Sequence, residues 1–468
     1  MPADFLLILD ISSSLLREKG GADGMTVIIL FAVIAAIILL TAVWKIHPLP
    51  VLLAGAFVFG VSQKYGVTET IGLISGGFGN TVKSIGIVII TGTVIGVFME
   101  KRGALTVIGR RIIAMTGKKR TPLAMSIIGF IVSICIFCDS AFIILVGVWR
   151  KMAAMTRLPP AVGVVALSMG LFASHCFIPP TPGPLAAISI LQADFSLVLL
   201  FGSLAALAAT AAGYFYGMAA GKKEVLHWED AVTEVAEKEK FSVHWSMAFL
   251  PLLIPLILIG SASAVPFFGD HLPPAVVKTI VVAGSPVPAL TIGAVIAVFF
   301  IGRCKLAELS ADGLMGKAVF DAANILIITG AGGAFGAVLQ KVDPHVLLPG
   351  ETGSPGVFAI FIPLFFAAVL KISQGSSTLA ILTAAGITLP LLDVLGLDTP
   401  VMRALSCCAV CCGGMIVSHT NDSFFWVVTK FSGMSVRQGL KLQTVGSLIS
   451  GTAAGFTIFL LALLLHGR

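Results

Sequence analysis

Four ionisable side chains stand in otherwise apolar stretches of this chain: Asp139, His175, His419 and Asp422. Each falls in or beside a polar interruption. The interruptions read Phe137-Cys138-Asp139-Ser140, Ser174-His175-Cys176-Phe177-Ile178-Pro179-Pro180-Thr181-Pro182-Gly183-Pro184, Ser373-Gln374-Gly375-Ser376-Ser377-Thr378 and Ser418-His419-Thr420-Asn421-Asp422-Ser423. Imidazoles titrate in the physiological range, so His175 and His419, with the two carboxylates, are candidates for carrying a proton. Hydroxyls beside the start of a half-helix, where amide hydrogens are unpaired and the helix dipole is positive, suit a carboxylate. The plainer reading of the same four residues is a set of paired polar groups bridging broken helices. Lys371, four residues before Gly375, is the one cation in its apolar stretch and either meets a solute carboxylate or snorkels to water.

The surrounding composition says what must position them. The chain has 468 residues, of which 57% are hydrophobic and 11% charged, with a mean hydropathy of +1.03. A soluble domain is about 25% charged, so the expected class is an all-α polytopic membrane protein. The net charge of +7 is spread over short connections, which argues against nucleic acid and for membrane orientation. The eight cysteines lie mostly in apolar segments and are expected to be reduced packing residues. The CxxC within Cys407, Cys408, Cys411 and Cys412 has no polar partner pair, and no metal site is expected. Residues 1–24 lack a basic stretch leading to a cleavage site and are expected to be an external N-terminal segment before a retained first span.

Apolar segments near the roughly 20-residue crossing length are expected over 25–43, 48–62, 84–99, 195–219, 247–264, 274–301, 318–339 and 444–465. The stretches 121–156, 357–392, 160–191 and 401–428 are interrupted. The chain also resembles itself at a displacement of roughly 240 residues: Ile89-Ile90-Thr91-Gly92 returns as Ile327-Ile328-Thr329-Gly330, and Ser174-His175 as Ser418-His419. The domain plan is therefore a first transmembrane repeat over 25–221, a cytoplasmic linker over 222–245 and a second repeat over 246–468.

Charge sets the sides. Lys101, Arg102, Arg110, Arg111, Lys118, Lys119 and Arg120 crowd one connection, whereas the matching later one holds Lys341, Asp343 and Glu351. The first is expected inside and the second outside. On the same scheme Lys45, Arg150, Lys151, Arg157, Arg303 and Lys305 fall inside, and both termini outside. The interrupted stretches 121–156 and 357–392 become re-entrant hairpins entering from opposite sides. Each repeat then holds about five crossings, one hairpin and one broken helix, inverted relative to the other, with a site near mid-membrane.

At these breaks the sequence resembles the gluconate permease family of the ion transporter superfamily. The segment SHCFIPPTPGPLAAISILQADF from Ser174, Gly332-Gly333-Ala334-Phe335, Gly375-Ser376-Ser377-Thr378 followed by LAILTAAGI, and Ser418-His419-Thr420-Asn421-Asp422 before Phe425-Trp426 carry the likeness. The resemblance implies proton-coupled import of gluconate or a related sugar acid, hydroxy acid or amino acid across a bacterial inner membrane. Superfamily relatives imply a homodimer and elevator-type alternating access. Cys138 and Asp139 replace an aromatic and Glu of the family pattern, Cys176 a Gly, and Thr181 a His.

The candidate solute contacts are Ser140, Ser174, Thr181, Gly183, Lys371, Gly375, Ser376, Ser377, Thr378, Ser418 and Asn421; the candidate proton carriers are Asp139, His175, His419 and Asp422. No cofactor is expected, and a proton is preferred to sodium as the coupling ion. Expected partners are a small anionic or zwitterionic solute and the lipid bilayer, with no nucleic acid. A sodium-coupled carboxylate transporter, a passive facilitator of the same fold and, more remotely, an intramembrane enzyme are the competing readings.

Overall fold

The computed structural model describes residues 22–465 apart from 41–43, 45, 117–119, 135, 156–158, 227–242, 269–271, 303, 340 and 342–355. Lys45, Lys118, Lys119, Arg157, Arg303, Asp343, Glu351, most of the expected linker and both expected external termini lie outside the described residues. The described residues form helices and no strand. Among the described residues, seven helical runs are long and apolar enough to cross a membrane, or eight if one sharply bent pair counts as a span.

The first part of the chain folds as α1 (Ala22–Ile38), α2 (Pro48–Ser62), α3 (Val67–Lys101), α4 (Ala104–Thr116), α5 (Thr121–Val132), α6 (Cys138–Met155), α7 (Pro160–Phe177), α8 (Pro182–Leu191) and α9 (Phe195–Ala220). After the linker come α10 (Trp245–Phe268), α11 (Pro274–Ala283), α12 (Pro286–Phe299), α13 (Leu314–Leu339), α14 (Phe361–Gln374), α15 (Ser377–Thr388), α16 (Pro400–Met415), α17 (Ser423–Phe431) and α18 (Val445–Leu465). The order of elements runs in parallel through the two parts: a long helix (α3, α13), a pair of short ones (α5 and α6, α14 and α15), a broken pair (α7 and α8, α16 and α17) and a closing helix (α9, α18).

Local chemistry sets many of the starts. Proline opens α2, α5, α7, α8, α11, α12 and α16, where its missing N–H is no loss. Asp194 caps α9 by accepting from Leu197 N at 2.8 Å, and Thr399 caps α16 by accepting from Met402 N at 3.3 Å.

Two boundaries differ from the hydropathy expectation. The long helix α3 begins at Val67, well before residue 84, through a Gly-, Ser- and Thr-rich stretch that packs along α13. Close helix packing there outweighs the poor helix propensity of those residues. The expected single span 274–301 is bent by 65° between α11 and α12, where Gly284, Ser285 and Pro286 interrupt the helix.

The apolar span Pro160–Leu191, which holds α7 and α8, is entirely surrounded by protein. The helix pair α5 and α6 lies against α7, the closing helix α9 covers another side, and α15 and α16 pack on α8. Where α5 crosses α7 the backbones touch: a Cβ on Gly170 would stand 2.3 Å from Ser126 O, so only glycine fits. By contrast α9 presents Leu200, Leu204, Leu207 and Phe215 outward, as a lipid-facing stripe should.

Arg102 ties the end of α3 to the end of α12. Its guanidinium donates to Val298 O at 2.6 Å, Ile301 O at 2.8 Å and Glu308 Oε2 at 2.7 Å. These carbonyls belong to the unsatisfied C-terminal turn of α12, the end that a cation stabilises.

Candidate functional site

The four polar interruptions become four starts of short helices. Asp139 sits in the first turn of α6. Thr181 precedes α8, Ser376 precedes α15 and Asp422 precedes α17 as their N-cap residues. At α15 the cap is complete: Ser376 Oγ accepts from Leu379 N at 3.3 Å. The hydroxyl-rich tip therefore opens the returning half-helix, as its serines and threonine require.

The tip turns at Gly375, which has φ +77° and hydrogen-bonds back to Lys371 O at 2.9 Å. A Cβ here would be 2.2 Å from Asn421 O. Left-handed backbone and close approach both demand glycine. Asn421 in turn donates from Nδ2 to Ile372 O at 2.7 Å and Ser373 O at 3.3 Å, and His419 Nε2 lies 3.0 Å from Ile372 O. The last carbonyls of α14 are thus satisfied by the break between α16 and α17. Hairpin tip and broken helix form one unit.

At its centre Lys371, fully buried, donates from Nζ to Asp422 Oδ2 at 2.6 Å and to Gly375 O at 2.8 Å. The ammonium also stands 5.5 Å over the Phe172 ring. Asp422 has further partners: Ser418 Oγ donates to the same oxygen at 2.5 Å, and Phe424 N donates to Oδ1 at 3.1 Å. Lys371 is thus held by an internal acid, a partner that its place in the sequence did not reveal.

The first part of the chain brings its own ionisable groups to this pair. Asp139 lies within electrostatic reach of Asp422 and Lys371, and its Oδ1 is buried with no hydrogen-bond partner. His175 lies within electrostatic reach of the same two residues. Its Nδ1 and the neighbouring Ser174 Oγ are buried without partners. The two repeat-related histidines therefore differ: His175 is buried, whereas His419 is half-buried on the carbonyl end of α14.

His175 faces a cleft of about 310 Å³, counting its open mouth, lined also by Thr93, Phe137, Pro180, Thr181 and Pro182. The Phe137 ring lies 6.0 Å from the imidazole. Thr181 Oγ1 is spent on Ile178 O at 2.6 Å. Gly183, the second residue of α8, comes against Thr378 and Ile381, so the starts of α8 and α15 meet. Ser377 is buried. Ser140 and Thr378 are half-buried in the first turns of α6 and α15.

Three site residues escaped the sequence reading. Thr93 and Phe137 line the cleft, and Gln374 buries both ends of its amide without a partner at the tip. Gln374 was legible as a polar residue in the interruption; Thr93, inside a long helix, gave no local signal. Among the described residues no group of His, Cys, Asp and Glu could hold a metal ion. The arrangement sets one buried charge pair beside unpartnered polar atoms of Asp139, Ser174, His175 and Gln374.

Comparison with known proteins places this geometry. Residues 25–464 match the family described as GntP family permease. The chain is 30% identical over 456 residues to an uncharacterized permease of Haemophilus influenzae, covering 93% of this chain and 92% of that one. It is 30% identical to the inner membrane permease YgbN of Escherichia coli, covering 92% and 96% of the two chains. It is 28% identical to a gluconate permease of Pseudomonas aeruginosa, covering 93% and 97%. Among solved structures, the YdaH transporter of Alcanivorax borkumensis superposes with a TM-score of 0.60 at 15% identity, over 84% of this chain and 88% of that one. MtrF of Neisseria gonorrhoeae gives 0.61 at 15% identity, over 84% of each chain. Those two share the fold. With a family match over nearly its whole length, apolar spans for a multi-pass inner-membrane protein and relatives that are permeases and not enzymes, the chain belongs to the GntP permease family of membrane transporters.

Proposed function

We propose that this transporter imports gluconate or a related sugar acid, or a small hydroxy or amino acid, together with a proton. The observation that carries the reading is the buried Lys371–Asp422 pair. As it stands the pair is neutral. A solute carboxylate that takes Lys371 leaves Asp422 as an unpaired charge in the interior, which costs several kcal/mol. Protonating Asp422 removes that cost, so one proton enters with one carboxylate. Asp139 and His175, within electrostatic reach of Asp422, are the groups proposed to pass that proton on.

The unpartnered Nδ1 of His175, the amide of Gln374 and the hydroxyls of Ser376 and Thr378 at the start of α15 supply hydrogen bonds for a polyhydroxy acid. Relatives named for gluconate in Pseudomonas aeruginosa and L-idonate in Escherichia coli support that solute class. Inverted repeats, read from the internal self-similarity and the charge bias, and a homodimer with elevator-type alternating access, which rest on the family resemblance, complete the proposal.

Purified protein in liposomes tests it. Uptake of radiolabelled gluconate should rise with an inward proton gradient and collapse with a protonophore. Uptake that follows a sodium gradient and ignores the protonophore would replace the proton by sodium. Equilibration without accumulation would leave a passive facilitator.

A further inference from the structure

The residue that shares Asp422 with Lys371 is itself held from both sides by a helix outside the hairpin and the break. Ser418 is fully buried. Its N–H donates to Ser447 Oγ at 2.8 Å, and its carbonyl accepts from Thr444 Oγ1 at 2.6 Å. The clamp is closed on itself, because Ser447 Oγ donates to Thr444 O at 2.9 Å. Both backbone polar groups of one residue are thus satisfied by side chains three positions apart.

Two departures from regular backbone stand at this contact. Val417 has φ +57°. That left-handed conformation costs a β-branched residue of order 1–3 kcal/mol and persists only where the surroundings over-determine it. On the other side Thr444 ends a single π turn, Leu440–Thr444, inserted before α18. Such turns mark functional sites more often than chance. The π turn is in turn fastened at its outer end: Tyr216 OH donates to Lys441 O at 2.5 Å, and Lys441 Nζ donates to Glu224 Oε1 at 2.8 Å.

We propose that Thr444 and Ser447 are positioning residues for transport: they hold the peptide groups on either side of Ser418, next to the strained Val417, so that the Ser418 hydroxyl stays on Asp422 while the lysine partner is exchanged for solute. This rests on the exchange at Lys371 proposed above. Lys371 leaves when a carboxylate arrives; Ser418 does not, because its peptide is anchored to α18. The oxygen that Lys371 leaves, Asp422 Oδ2, therefore keeps its Ser418 partner in both states, and the site stays organised for the solute. An unanchored Ser418 leaves only a fraction of molecules competent to bind, which raises the apparent KM by the inverse of that fraction while leaving the maximal rate of competent molecules intact.

The test uses the full-length protein with T444V, S447A and the conservative T444S. In hydrogen exchange, peptides spanning 416–424 should exchange about tenfold faster in T444V and S447A, as loss of a hydrogen bond allows, and at the wild-type rate in T444S. In proteoliposomes the apparent KM for radiolabelled gluconate should rise about fivefold or more in T444V and S447A with Vmax within about twofold, and T444S should restore it. Unchanged exchange in T444V and S447A, or a fall in Vmax at constant KM, overturns the proposal. If the wild-type protein takes up no gluconate, the transport proposal fails instead, and the exchange arm still decides whether the clamp holds Ser418.

Discussion

Lys371 Nζ and Asp422 Oδ2 lie 2.6 Å apart, with both side chains almost completely removed from solvent. A lone charge in such a place is not tolerated; a pair is, provided its remaining hydrogen-bonding capacity is met. Ser418, Phe424 N and Gly375 O meet it.

Breaking this pair from one side should therefore cost more than removing it. K371M and D422L each leave an uncompensated buried charge and should lower stability by about 3–5 kcal/mol, whereas the double variant should recover most of that loss. Uptake of gluconate should be absent in all three. Thermal unfolding in detergent separates the two effects: a double variant that regains stability and also transports would remove the pair from the mechanism.

His175 offers a buried Nδ1 with no partner to the cleft. H175F keeps an aromatic of similar bulk beside Phe137 and removes the polar nitrogen. Gluconate uptake should fall by about tenfold or more, the worth of a hydrogen bond to a charged or polar solute, with the midpoint of thermal unfolding close to wild type. A large drop in midpoint with wild-type uptake per folded molecule would make the histidine structural.

Gly375 tolerates no side chain. In G375A the new methyl meets the Asn421 carbonyl and the backbone must hold a positive φ, so folded yield should drop steeply. Fluorescence size-exclusion profiles of membranes expressing G375A beside wild type measure this directly. A wild-type profile would mean that the tip does not close on the break as described.

Glu224, beyond the end of α9, has its carboxyl held below the ordinary value of 4.5 by hydrogen bonds from Lys441 and Gln438. A lowered folded-state value means that the stabilisation is fully present above the unfolded-state value and is lost as pH falls through the folded-state value. Wild type should unfold at a higher temperature than E224Q near neutral pH, and the gap should close on acidification below about pH 4.5. A gap that widens in acid would reverse the assignment. The group is near the surface, so salt should narrow the difference.

Much of the arrangement was legible along the chain. The proline run after Phe177 cannot continue a helix, and the Ser376-Ser377-Thr378 run is a helix start, so both breaks fall where those residues stand. The 65° bend before Pro286 carried a Gly-Ser-Pro signal too, yet the high hydropathy on both sides averaged it away. The early start of α3 was hidden for the opposite reason, since glycines and small polar residues read as a break until α13 lies beside them.

The sequence by itself determined the class of this protein and the places where its helices break. Both follow from local sums: apolar residues over a window set transfer into the membrane, and Pro, Gly, Ser and Thr set backbone choices within a few residues. Only the tertiary structure decided which acid takes Lys371, which histidine faces the cleft, and that Ser418 is anchored from α18. Charge pairing and desolvation depend on distance in space, and Lys371 and Asp422, 51 positions apart, become partners only when the hairpin tip closes on the second break.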